Sequence, residues 1–154
     1  MDLLTVLRYL ENLESKMADL YAGFSKAFSQ DGEAAAFFSG MSAEEIAHRD
    51  LVRYQHKLVR RNPPKFKGVD VDISEIRQVI EKVEEVMYSP VDRSLKDAVM
   101  ASIDFEDDAA ESHYLSAMLQ SNPGVSKLLD SLCTSDRLHC ARLNDFAKSR
   151  GFLP

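Results

Sequence analysis

Four long stretches of this chain carry apolar residues at helical spacing, and each places an acidic side chain on its own apolar stripe. Glu14 lies seven residues after Leu7, four after Leu10, three before Met17 and seven before Tyr21, so it shares their face and points inward. Glu45 and His48 fall in the same way between Met41 and Val52, and Asp136 and His139 between Leu132 and Leu143. The remaining stretch offers Glu106 or Asp107 among Val99, Ile103, Ala110, Tyr114 and Ala117. An ionised group moved into hydrocarbon costs several kcal/mol unless something compensates it. A fold that turns these stripes inward must therefore bring the acids together around positive charge. Two divalent cations against four carboxylates leave a neutral site, which answers the objection.

The acids come with histidines at a telling interval. Glu45-Ile46-Ala47-His48 and Asp136-Arg137-Leu138-His139 each set a carboxylate three residues before an imidazole, on one helix face, where both can reach the same ion. One such pair is most often part of a solvated surface. Two of them, in matching halves and each preceded by an inward acid on another helix, are the pattern of a dinuclear carboxylate site inside four packed helices. Tyr21 and Tyr114 follow the acids of the first and third stretches, where a phenol either hydrogen-bonds a ligand carboxylate or simply fills core. His113 reads as the rim of this region, His56 as a surface residue, and Met41, Met87, Met100 and Met118 as packing.

The punctuation of the chain gives the organisation. The first helix is expected over Leu3 to Phe28, broken around Gly32, and the second from Glu33 to Arg60, stopping before Asn62-Pro63-Pro64. Asp72 and Glu75 form a capping-box pattern ahead of a shorter helix whose stripe runs Ile73, Ile76, Val79, Ile80, Val83, Val86, Met87. Ser89-Pro90 restarts the chain as a third long helix to about Ser121, and Asn122-Pro123 as a fourth to about Arg150, closed by Gly151. Short loops within each half make two antiparallel helix pairs, and the connection between Asn62 and Ser89 is long enough to cross from one pair to the other. The expected fold is all-α, a four-helix bundle with a short helix in the crossover, over a single domain of 154 residues.

A net charge of -6 without a basic patch argues against nucleic acid as partner. The opening residues to Leu13 carry Asp2, Arg8 and Glu11 among leucines, unlike a secretory leader or a membrane span, so a cytoplasmic protein with no membrane partner is expected. Cys133 and Cys140 stand about two helical turns apart, too far to pair with each other.

With these segments in view, the chain resembles the rubrerythrin branch of the ferritin-like superfamily. Leu10-Glu11-Asn12-Leu13-Glu14 with Tyr21 is similar to that family's first ligand segment, and Glu45-Ile46-Ala47-His48 to its first Glu-x-x-His. Ser102-Ile103-Asp104-Phe105-Glu106 with Tyr114 resembles the third-helix segment, and Asp136-Arg137-Leu138-His139 takes the place of the second Glu-x-x-His. The resemblance implies Glu14, Glu45, His48, Glu106, Asp136 and His139 as ligands of two iron ions, in whose place manganese or zinc can sit. Glu45 and Asp136 would bridge, and Tyr21 and Tyr114 would serve the chemistry. It implies a homodimeric peroxidase that reduces hydrogen peroxide with electrons from an external donor protein. The alternative is a ferroxidase or iron-handling protein that uses oxygen. Three departures stand out. Asp136 is one methylene short of the usual glutamate, a departure that bears on the bridging role the resemblance implies, since the shorter side chain can bind one metal terminally and fail to bridge. Tyr114 lies eight residues after Glu106 but seven after Asp107, which leaves either acid as ligand unless a π-bulge inserts a residue. No Cys-x-x-Cys is present for a rubredoxin-type iron, so the electrons must arrive from another protein.

Overall fold

Side-chain caps decide where the first two helices begin. In a computed structural model that describes residues 2–66, 73–89, 92–112 and 122–154, and the side chains of all but 110–112, Asp2 accepts a hydrogen bond from the Leu4 N–H and opens α1, Leu3–Ala27. Asp31 does the same with the Ala34 N–H and opens α2, Gly32–Arg61. A 3-10 turn at Pro63–Lys65 follows, then α3, Ser74–Tyr88, α4, Leu95–Ser112, and α5, Pro123–Ser149 with its proline in the first turn. Gly151 adopts a positive φ of 69° past the end of α5. Its N–H bonds to Lys148 O while that of Phe152 bonds to Ala147 O, a Schellman closure that a side chain at that φ would strain. Among the described residues there is no strand, and no helix is long and apolar enough to cross a membrane.

The helices pack in pairs. Along α1 and α2 the partners run in opposite directions, Glu11 with Arg53, Ala18 with Ser42, and Ser25 with Ala35, which makes the pair antiparallel across a short link. Helix α5 also runs antiparallel to α2: Phe37 stacks on Phe146, Glu44 meets His139 and Arg142, and His48 meets Ser135. Helix α4 packs on α5, and α3 is tied to α1 by Lys16–Glu84 at 2.9 Å and to α4 by Lys82–Asp108 at 2.7 Å. The core draws on all five helices, with Leu7, Leu10, Phe38, Ile76, Val99 and Leu129 fully enclosed. Each such side chain contributes roughly 1.5–3 kcal/mol through burial. An aromatic cluster of Tyr21, Phe24, Phe28, Phe37 and Phe38 fills one end.

Two starts differ from expectation. Helix α4 begins at Leu95 and not at the Ser89-Pro90 step. Ser94 and Asp97 cap each other, Asp97 N–H to Ser94 Oγ at 3.1 Å and Ser94 Oγ to Asp97 Oδ2 at 2.7 Å, and this reciprocal box outweighs the proline as a start signal. Helix α3 begins one residue after Ile73 with no side-chain cap, and Asp72 lies outside the described residues. The continuation of α4 toward Ser121 lies outside them too. As far as Ser112 that helix is regular, without a π turn.

Candidate metal centre

The inward acids and histidines meet. Glu14 comes from α1, Glu45 and His48 from α2, Glu106 from α4, and Asp136 and His139 from α5, and none of the six exceeds 8% exposure. Glu45 is the hub. Its Oε2 lies 3.1 Å from His48 Nδ1, and its Oε1 lies 2.8 Å from His139 Nδ1. Glu14 Oε2 approaches His48 Nδ1 at 3.5 Å, and Glu106 Oε2 approaches His139 Nδ1 at 3.3 Å. The two imidazoles lie nearly parallel, 22° apart, with ring centres 5.4 Å from each other. The residues thus form two trios, Glu14–Glu45–His48 and Glu45–Glu106–His139, each able to offer one ligand atom per residue within 4.8 Å of the others.

These separations fit a cation. Metal bonds of roughly 2.0–2.2 Å place neighbouring ligand atoms about 3 Å apart, the range seen between each histidine and its carboxylates. Glu45 Oε1 is fully enclosed, and its approach to His139 is out of line for a hydrogen bond. A buried carboxylate oxygen that faces a ring nitrogen without such alignment is left for a cation to share. Carboxylate oxygen with imidazole nitrogen is a donor set for iron, manganese or zinc.

The outer nitrogens of the imidazoles are held from behind. His48 Nε2 lies 2.9 Å from Ser135 Oγ, and His139 Nε2 lies 2.9 Å from Glu44 Oε2. Arg142 grips Glu44 with both arms, at 2.8 and 2.7 Å, and holds its carboxyl below the usual range. A proton kept on Nε2 leaves the Nδ1 lone pair facing the carboxylates, the tautomer a metal requires. Tyr21 donates a 2.5 Å hydrogen bond to Glu106 Oε1, and burial pushes its phenol well above 10, so it remains a donor.

Protons serve as the counter-charge when no metal is bound. Burial pushes Glu14 well above the usual carboxylate value, and it lifts Glu106 to about 7 even against the hydrogen bond from His139. Burial would raise Glu45 as well, but the two imidazoles beside it, His139 at 2.8 Å and His48 at 3.1 Å, outweigh it and hold it at about 2. The imidazoles move the other way: burial opposes their charge, yet Glu14 and Glu45 raise His48 to about 10, and Glu106 and Glu45 raise His139 to about 11. Two imidazolium ions against partly protonated acids keep the cluster close to neutral.

Glu106, not Asp107, supplies the α4 carboxylate of this cluster. Asp107 is exposed and accepts a 3.1 Å hydrogen bond from Cys140, whose thiol is pushed up by burial and by that acid. Asp136 is buried in the same region and its charge bears on Glu14, Glu106 and Tyr21, but it belongs to neither trio. Tyr114 and His113 lie outside the described residues. Sequence reading missed Glu44, Arg142 and Ser135. Their one signal is adjacency, Glu44 beside Glu45, Ser135 beside Asp136, and Arg142 one turn after His139. Compared with protein-family models, with curated proteins and with solved structures, the chain matches none.

Proposed function

We propose that this chain is a non-haem di-iron oxidoreductase of rubrerythrin-like type, a peroxidase that reduces hydrogen peroxide with electrons from an external donor protein. One observation carries the dinuclear part of that reading. The two oxygens of Glu45 face different histidines, so a single carboxylate could serve two metal positions at once. Glu14, Glu45 and His48 would hold one ion, Glu45, Glu106 and His139 the other, and Asp136 supplies the fourth negative charge beside them. On this reading the packed helix pairs belong to a ferritin-like bundle with one crossover, the resemblance implies a homodimer, and the charged opening residues favour the cytoplasm.

Bound iron supplies one-electron redox steps and Lewis acidity toward peroxide oxygens. The rest falls to the chain. Glu45 would set the spacing of the two positions, Tyr21 holds Glu106 in place by its phenol, and the buried side chains of Phe24, Phe105 and Leu132 would help to exclude water. Each hydrogen peroxide takes up two electrons and two protons and leaves as two waters. The electrons come from a partner, since Cys133 and Cys140 are single thiols and offer no Cys-x-x-Cys for a second iron.

The test is stopped-flow oxidation of the iron-reconstituted, reduced protein. Stoichiometric peroxide should oxidise it much faster than dissolved oxygen, at about two irons per chain. Equal or faster reaction with oxygen, together with uptake of many irons, would make it a ferroxidase. No bound iron at all would overturn the proposal.

A further inference from the structure

The two histidines are not supported alike, and the difference lies outside the trios. His139 sits between two consecutive glutamates of α2: Glu45 Oε1 is 2.8 Å from its Nδ1, and Glu44 Oε2 is 2.9 Å from its Nε2. Because successive residues of a helix point in different directions, Glu45 faces the cluster while Glu44 reaches the surface, where its side chain is 43% exposed. There the planar fork of Arg142, one turn beyond His139 on α5, engages both Glu44 oxygens and prevents the carboxylate from swinging into solvent. Among the described residues His48 has no such backing, and its Nε2 meets the neutral hydroxyl of Ser135, at 2.9 Å.

From this asymmetry we infer that Glu44, clamped by Arg142, is a positioning residue that makes the two metal positions unequal, so that the one built on His139 fills first. The inference rests on the dinuclear reading above. An imidazole that donates its outer N–H to a carboxylate carries more electron density on the ligating nitrogen than one that donates to a hydroxyl. It is also fixed in tautomer and in ring orientation before the metal arrives, and less ordering remains to be done on binding. His139 has both advantages; at His48 the Ser135 hydroxyl, neutral and able to donate or accept, confers them more weakly.

Zinc(II) alone is the probe, titrated calorimetrically into the full, metal-free chain. The wild type should bind in two resolved steps. Glu44→Gln keeps a hydrogen-bond acceptor but removes its charge; it should weaken the tighter step by roughly ten- to a hundredfold, the usual penalty for losing such a partner, and leave the weaker step near its wild-type value. Ser135→Ala should do the reverse, sparing the tighter step. Arg142→Gln, which leaves Glu44 in place but unclamped, should weaken the tighter step by less than Glu44→Gln. The Nε2–H proton resonance of zinc-bound His139 should move upfield in Glu44→Gln, a change that general loosening of the fold does not produce. Equal loss of both steps in Glu44→Gln, or loss of neither, would overturn the role of Glu44 while leaving two metal positions intact. A wild type that binds no zinc would overturn the dinuclear reading itself.

Discussion

Replacing Glu45 by glutamine tests the hub of the site, because it preserves the shape of the side chain and removes the charge that both histidines share. In the metal-free protein Glu45 stands 3.1 Å from His48 and 2.8 Å from His139, and both rings carry protons at neutral pH. Without the carboxylate, two imidazolium ions 5.4 Å apart face each other in a buried site. Removing one partner of a buried ion pair costs about 3–5 kcal/mol. For a domain of this size each kcal/mol moves Tm by about 2–4 °C, so metal-free Glu45→Gln should melt roughly 6–20 °C below wild type at pH 7. The gap depends on pH in both directions. Glu45 is depressed to about 2, so its stabilisation is present above its ordinary value of 4.5 and fades as pH falls toward 2. The histidines are raised to about 10 and 11, so theirs is complete below 6.5 and is lost as pH rises through those values. Thermal melts in chelator from pH 3 to 11 should show the largest difference between about pH 5 and 9, narrowing at both ends. Elemental analysis after reconstitution should find at most one metal per chain in place of two. An unchanged melting temperature, or two metals held as tightly as in wild type, would refute the shared-carboxylate geometry.

Metal loading at pH 7 should release protons, since His48 and His139 hold them there and cannot ligate through Nδ1 until they leave; calorimetry in buffers of different ionisation enthalpy counts them, and no release would mean the imidazoles are not ligands. Apparent affinity should accordingly rise from pH 5 to 8, through the range in which Glu106 ionises at about 7. Tyr21→Phe removes the hydrogen bond to Glu106 Oε1 and should cost about 1.5–3 kcal/mol of stability while weakening the metal bound through Glu106, as read by parallel melts and metal titration. Glu106→Gln should weaken metal binding far more than Asp107→Asn, because only Glu106 is buried against His139; the opposite order would make Asp107 the ligand.

Residues whose positions follow from one helix's own period were legible in the sequence. Glu14, Glu45, His48 and His139 are inward because their neighbours at three, four and seven residues are apolar, and that relation needs no knowledge of what packs opposite. Glu106 against Asp107 was harder. The two differ by a single step of about 100° around α4, and tertiary packing decides which faces His139 and which faces Cys140. Glu44, Ser135 and Arg142 were out of reach for the same reason. Nothing local connects Glu44 to a histidine 95 residues later; the contact exists only because α2 and α5 lie antiparallel at that height. The start of α4 is set differently: the local Ser94–Asp97 cap decides it and outweighs the proline at Pro90 as a start signal.

Asp136 shows where the charge of the cluster is decided. With Glu14, Glu45 and Glu106 it makes four buried acids, while the trios use three of them and the two imidazolium ions balance only two. Metal-free, the remainder is settled by protons on Glu14 and Glu106, the two acids that burial pushes upward. With two divalent ions bound, four carboxylates can all ionise and both imidazoles become neutral, and the cluster again carries no net charge. The same side chains therefore have two neutral states, one filled with protons and one with metal, and exchange between them creates no buried excess charge. A core of this kind can lose its metal without losing its fold. In the metal-free protein the shared Glu45 carboxylate is what offsets the two buried imidazolium charges, and Glu45→Gln removes that offset.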